Sequence, residues 1–114
     1  MDSYTKAFKI LSDANRLRIL KMLEVRPLCV CEITAILGLA PSTVSKHLSL
    51  LKETGFIFEQ KEGKWVNYHL NRATQKEAVK ELLPIVLKWS HEDPLFKKDH
   101  EKISKIHREN LCSL

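Results

Sequence analysis

Between Pro41 and Leu70 the spacing of apolar residues changes once, at Gly55, and that change limits the chain to few folds. Before it, in PSTVSKHLSLLKETG, Val44, Leu48 and Leu51 fall within about 60° of one another on a helix turning about 100° per residue. Ser42, Lys46, Ser49 and Glu53 lie on the opposite face. After it, FIFEQKEGKWVNYHL alternates with a period of two in arms around Glu62, Gly63 and Lys64, the pattern of a β-hairpin with a charged tip. Pro41 suits a first helical turn, because its fixed φ fits and its missing N–H would be unpaired there anyway. Gly55 supplies a left-handed residue to end the helix.

The flanking sequence is helical in period. Asp2 or Ser3 can cap a first helix carrying Ala7, Phe8 and Leu11. Ser12 and Asp13 restart the chain into NRLRILKMLEV, with Leu17, Leu20 and Leu23 at intervals of three, ending before Pro27. EITAILGL is a short helix stopped by Gly38. Beyond the hairpin, Thr74-Gln-Lys-Glu77 has the capping-box form, and Val79, Leu82, Leu83 and Val86 give a long helix its apolar stripe. Pro84 should kink or shorten that helix. Asp93-Pro94 opens a last helix, with Phe96, Ile103 and Ile106 among its apolar positions.

Helix, Gly turn, helix and two-stranded hairpin make a winged helix-turn-helix. The expected fold is mainly α with a small β-hairpin, in a single domain over residues 1–114. Its DNA-binding core spans about residues 13–70, and the helices over about 74–110 are left for dimerisation.

Charge placement agrees. Of the net +5, residues 1–73 hold +4, with eleven Lys and Arg against seven Asp and Glu, so the basic surplus that favours a polyanion sits with the predicted core. The first residues carry charges every few positions, and no apolar run approaches the roughly 18 residues needed to span a bilayer. A cytoplasmic protein without a membrane partner is expected. In a reducing compartment three cysteines, an odd number, read as thiols or metal ligands before disulfides.

The second helix offers small hydroxyls and a cation that can enter a major groove without steric conflict. Ser42, Thr43, Ser45, Lys46, His47 and Ser49 are the candidate DNA-binding residues, with Lys64 at the wing tip. The plain alternative is a solvated helix face. For His47 and His69, phosphate contact and core-edge packing stand level.

The stretches LSDANRLRILKML, LCVCEI, PSTVSKHLSLLKETGFI and EGKWVNYHL resemble the ArsR/SmtB family of metal-sensing winged-helix repressors, in register over roughly residues 5–95. The resemblance implies a homodimer joined through its N- and C-terminal helices, whose two recognition helices read an imperfect inverted repeat in double-stranded operator DNA. Ala40 departs from the Ser or Thr that often caps such a helix.

In that family a Cys-Val-Cys here marks arsenic- and cadmium-responsive members. The residues agree, since soft thiolates select thiophilic ions. On a regular helix Cys29 and Cys31 would point about 200° apart, so gripping one ion requires an unwound or distorted helix start. Thr34 stands where the arsenic pattern often adds a third cysteine, which leaves Cys112 or a cellular thiol as third ligand. The expected metal ligands are therefore Cys29, Cys31 and Cys112, with As(III) or Sb(III) as effector and no constitutive cofactor. A same-fold repressor of Cd(II), Pb(II) or thiol redox state is the alternative, and a thiol oxidoreductase a further one. The enzyme lacks support, because no phosphate-cradling Gly loop, nucleophile motif or redox βαβ pattern accompanies the cysteines. Cys29 and Cys31 could also serve as packing residues. His91, His100 and His107 lack the paired spacing of a zinc or nickel site and read as surface residues.

Overall fold

The computed structural model describes residues 2–89, 92–107 and 111. Two helices, α1 (Asp2–Leu11) and α2 (Ala14–Val25), lead to a two-residue strand β1 (Leu28–Cys29). Helices α3 (Val30–Leu37) and α4 (Pro41–Thr54) follow, then the hairpin β2 (Ile57–Glu62) and β3 (Trp65–Leu70), and finally α5 (Glu77–Lys88) and α6 (Pro94–Lys105). This is the expected winged helix-turn-helix, with α3 and α4 as the reading pair.

The turns explain themselves. Asp13 caps α2 by accepting from the Asn15 N–H at 2.8 Å and the Arg16 N–H at 3.1 Å. Gly38 and Gly55 end α3 and α4 in the left-handed region, at φ 69° and 96°. Glu62 pairs with Trp65 across the hairpin, so Gly63 and Lys64 form a two-residue loop of the kind that favours positive φ.

Val44, Leu48 and Leu51 of α4 are buried in one core with Ile19 and Leu20 of α2, Ile33 of α3, and Phe56 and Ile57 at the start of the wing. Burial of each such side chain is worth about 1.5–3 kcal/mol, which fixes which face of α4 turns outward. Helix α6 is tied to α2 by a buried fork: Arg18 donates to both Asp99 oxygens at 2.9 Å. Lys21, also buried, donates to the Leu87 carbonyl at 2.7 Å and so closes the last turn of α5.

Three expectations need correction. The sheet has three strands, ordered β1-β3-β2, because Leu28 and Cys29 pair with Tyr68 and Asn67; two residues are too few to show an alternation in sequence. Asp2 and Ser3 lie within α1 and do not cap it. The capping box at Thr74 does not form: Thr74 accepts from the Lys76 N–H at 3.1 Å in a local turn, and α5 starts at Glu77. Pro84 lies inside α5, which continues past it to Lys88. The stripe of Val79, Leu83 and Val86 is buried within the chain itself, whereas Tyr4, Phe8, Ile85 and Trp89 are the exposed apolar residues of α1 and the α5 end.

Candidate nucleic-acid interface and thiol site

Ala40 precedes α4 without a side chain that can accept, so the first-turn N–H groups of the helix have no side-chain cap. Such an end carries partial positive charge and suits an anion. Ser42, Thr43, Ser45, Lys46 and Ser49 are all exposed there, as the sequence predicts. They divide into two rows. Ser42, Ser45 and Ser49 point outward along one, while Thr43, Lys46 and His47 share the other with Leu50.

His47 differs from its neighbours. It is half-buried, and its Nδ1 lies 3.0 Å from a terminal nitrogen of Arg16 in α2. Arg16 in turn donates its Nε–H to the Ile10 carbonyl at the end of α1, at 2.6 Å. Arg16 was not among the residues predicted from the sequence. Its signal is the position three residues after the cap Asp13, where a side chain reaches back over the helix start. The Asp13 carboxyl is held below its ordinary value: burial acts to raise it, but the Arg16 N–H, the Arg16 guanidinium and the Asn15 N–H outweigh that.

Lys64 is exposed at the wing tip with its ammonium 5.2 Å from the Trp65 ring centroid, a cation–π contact that restrains it. His69 stacks on Phe58, with centroids 5.0 Å apart, and its Nε2 is 2.9 Å from a Glu62 oxygen. A carboxylate already at the ring disfavours phosphate there, so His69 belongs to the wing's own packing.

The Cys-Val-Cys segment straddles a strand and a helix. Cys29 is the last residue of β1, with extended backbone at φ −89° and ψ 168°, and Cys31 sits in the first turn of α3. The helical 200° separation therefore does not apply: a helix unwound at its start is the native geometry. Cys29 is a free thiol and only 4% exposed. Burial, and after it the neighbouring Glu32 carboxylate, push its pKa up against the pull of the Glu32 and Cys31 backbone N–H groups. Cys31 is half-buried and disulfide-bonded. Cys112 lies outside the described residues, as does His91; His100 and His107 are exposed. Among the described residues no three of His, Cys, Asp and Glu cluster as a metal site.

Glu32 is the second residue that sequence reading missed. Nearly fully buried, it accepts the Cys29 N–H at 3.0 Å and a terminal N–H of Arg26 at 3.1 Å. The same Arg26 nitrogen reaches the Ile103 carbonyl of α6 at 3.5 Å. One carboxylate thus links the thiol segment to α6.

Residues 13–58 match the model of the arsR family of bacterial regulatory proteins. The arsenical resistance operon repressor of Escherichia coli (strain K12) is 35% identical over 120 residues, covering 93% of this chain and 92% of that protein. The chain belongs to the ArsR family. It is a metalloregulatory transcriptional repressor with a DNA-binding winged helix-turn-helix, and not an enzyme. Another relative, the cadmium resistance transcriptional regulatory protein CadC of Listeria innocua, is 45% identical over 64 residues, which are 55% of this chain and 54% of that protein. Among solved structures, the homodimeric winged helix-turn-helix domain of Mb0332 from Mycobacterium bovis superposes with a TM-score of 0.62 at 28% identity, covering 75% of each chain. No helix among the described residues is long and apolar enough to cross a membrane.

Proposed function

We propose that this ArsR-family repressor acts as a homodimer on an inverted-repeat operator and is released when As(III) or Sb(III) binds Cys29 and Cys31, with Cys112 or a small thiol completing the site. The observation that carries the reading is the place of the dithiol. Its two cysteines sit at the hinge between a sheet strand and the first helix of the DNA-reading pair. An ion that draws their sulfurs together acts on α3 directly. The residues fit a soft ion once the Cys31 disulfide is reduced, giving two thiols one residue apart on backbone that is already non-helical at Cys29.

Cys29 is protonated when buried, so binding must expel its proton and expose its sulfur. A ligand shifts an equilibrium only by its differential affinity for the two states, and this opening supplies the difference. A coupling of about 3 kcal/mol would lower operator affinity roughly a hundredfold. Homologues named for arsenical and for cadmium resistance support a thiophilic effector, with Cd(II) or Pb(II) as the other candidates.

The Cys31 disulfide favours one second reading, a repressor that responds to thiol oxidation. Titration of the reduced protein with As(III), followed by ultraviolet thiolate–arsenic absorption, tests the first. Saturation at one ion per chain is expected, lost in Cys29→Ser and Cys31→Ser; an unchanged titration in both variants would overturn it. Operator release by oxidant alone, with no response to As(III) in reductant, selects the second reading. The signal remaining in Cys112→Ser decides between Cys112 and an added thiol.

A further inference from the structure

The contact between Arg16 and His47 joins two helices that the DNA-reading role of α4 does not require to be joined. Arginine only donates, so the Nδ1 that faces it must accept, and the ring proton then resides on Nε2. Arg16 uses its Nε–H on the Ile10 carbonyl and one terminal nitrogen on His47. Its other terminal nitrogen has no protein partner among the described residues. Asp13 Oδ2 is 4.0 Å from the terminal nitrogen that faces His47, and the other Asp13 oxygen already accepts two backbone N–H groups. Arg16, Ser42, Thr43, Lys46 and His47 line a surface hollow of about 550 Å³ floored by Leu50, beside the uncapped start of α4. Two cations, two hydroxyls and a ring N–H converge with no carboxylate in the lining.

We propose that this hollow is a seat for one backbone phosphate of duplex DNA, with Arg16 and Lys46 supplying charge and Arg16 setting the His47 tautomer that donates to it. The seat rests on the DNA-binding role of α4 and fixes how the helix enters the groove. A phosphate clamped between α2 and the first turn of α4 sets the depth and angle of the hydroxyl row Ser42, Ser45 and Ser49. Because Arg16 also holds the end of α1, the seat would be sensitive to any movement of α1 against α4.

Phosphate contact is independent of sequence, so a labelled 30-base-pair duplex of random sequence is a sufficient probe. Its affinity is measured by anisotropy across a potassium chloride series for the wild type, Arg16→Gln, Arg16→Lys, His47→Gln and His47→Phe, each checked by thermal unfolding. Arg16→Gln should weaken binding about tenfold at moderate salt and flatten the log–log salt slope by about one unit per protomer. Arg16→Lys should keep the slope. His47→Gln, whose amide both accepts and donates, should bind within about twofold of the wild type, and His47→Phe about fivefold more weakly with an unchanged slope. A folded Arg16→Gln protein with wild-type affinity and slope would overturn the proposal, as would equal binding by His47→Gln and His47→Phe. So would saturable stabilisation of the DNA-free wild type by millimolar inorganic phosphate that Arg16→Gln abolishes, since the seat would then belong to a free anion. A wild type that binds no duplex would instead remove the DNA-binding reading beneath it.

Discussion

At the scale of single residues, one carboxylate and one thiol have shifted acidities of opposite sign. Asp13 caps α2 and faces Arg16, so Asp13→Ala should cost about 1 kcal/mol in chemical unfolding. The sign of its pH dependence follows from a lowered folded-state value. The cap's contribution is full above the unfolded carboxyl value of 3.8 and is lost as pH falls through the lower folded one. Acid unfolding of Asp13→Asn should therefore lose part of the wild type's dependence below pH about 4. Cys29 runs the other way. Its raised thiol value keeps it protonated at neutral pH. Arsenous acid carries each thiol proton off as water, whereas a bare cation such as Cd(II) must release it to solvent. Cd(II) affinity should therefore rise with pH by up to about tenfold per unit for each proton released, while As(III) affinity stays nearly flat. A measurable Cd(II) affinity that does not change between pH 6 and 8 would show that the buried thiol is not a ligand to that ion.

At the scale of elements, the buried Arg18–Asp99 fork holds α6 against α2. Removing one partner of such a pair leaves a buried charge, so Asp99→Ala should destabilise the fold by about 3–5 kcal/mol by denaturant titration. Glu32→Gln tests the link from the thiol segment to α6. The amide oxygen can keep the Cys29 N–H bond while the charge pair with Arg26 is lost, so As(III) should bind with similar affinity but release DNA less completely.

Helices α2, α3, α4 and α6 were legible because each carried its own punctuation, Asp13 and Asp93 at starts, Gly38 and Gly55 at ends. β1 was not, since pairing of Leu28 and Cys29 with β3 depends on residues about forty positions away. Thr74 misled for a related reason: its capping-box spacing is real, but the chain turns locally at Lys76 before α5 begins. Most of the hydroxyl row of α4 could be read from period alone, whereas Arg16 and Glu32 could not, because their roles exist only where α1, α2 and α4, or α2, α3 and α6, converge.

At the scale of the whole molecule, the burial of Leu83 in its own core changes how dimerisation is tested. Leu83→Asp should unfold the chain. The apolar surface left for a second copy includes Phe8, 59% exposed, and Trp89, 62% exposed, at corresponding one-turn steps from Tyr4 and Ile85. Phe8→Asp should keep the helical circular dichroism yet sediment as a monomer at micromolar concentration, and operator affinity should fall with it, because one half-site gives too few contacts. A folded Phe8→Asp protein that remains a dimer would place the interface elsewhere.

The coupling of thiol chemistry to DNA release is the central claim, and one titration addresses it most directly. A fluorescent operator duplex, recovered by selection from random sequence, is held by the fully reduced repressor and titrated with As(III) while anisotropy is followed, alongside Cys29→Ser. The wild type should leave the DNA with at least tenfold loss of affinity, while Cys29→Ser binds the operator equally well and stays on it at every As(III) concentration. Equal release of the two proteins would contradict the account, since the effector would then act without the buried thiol at the strand–helix hinge.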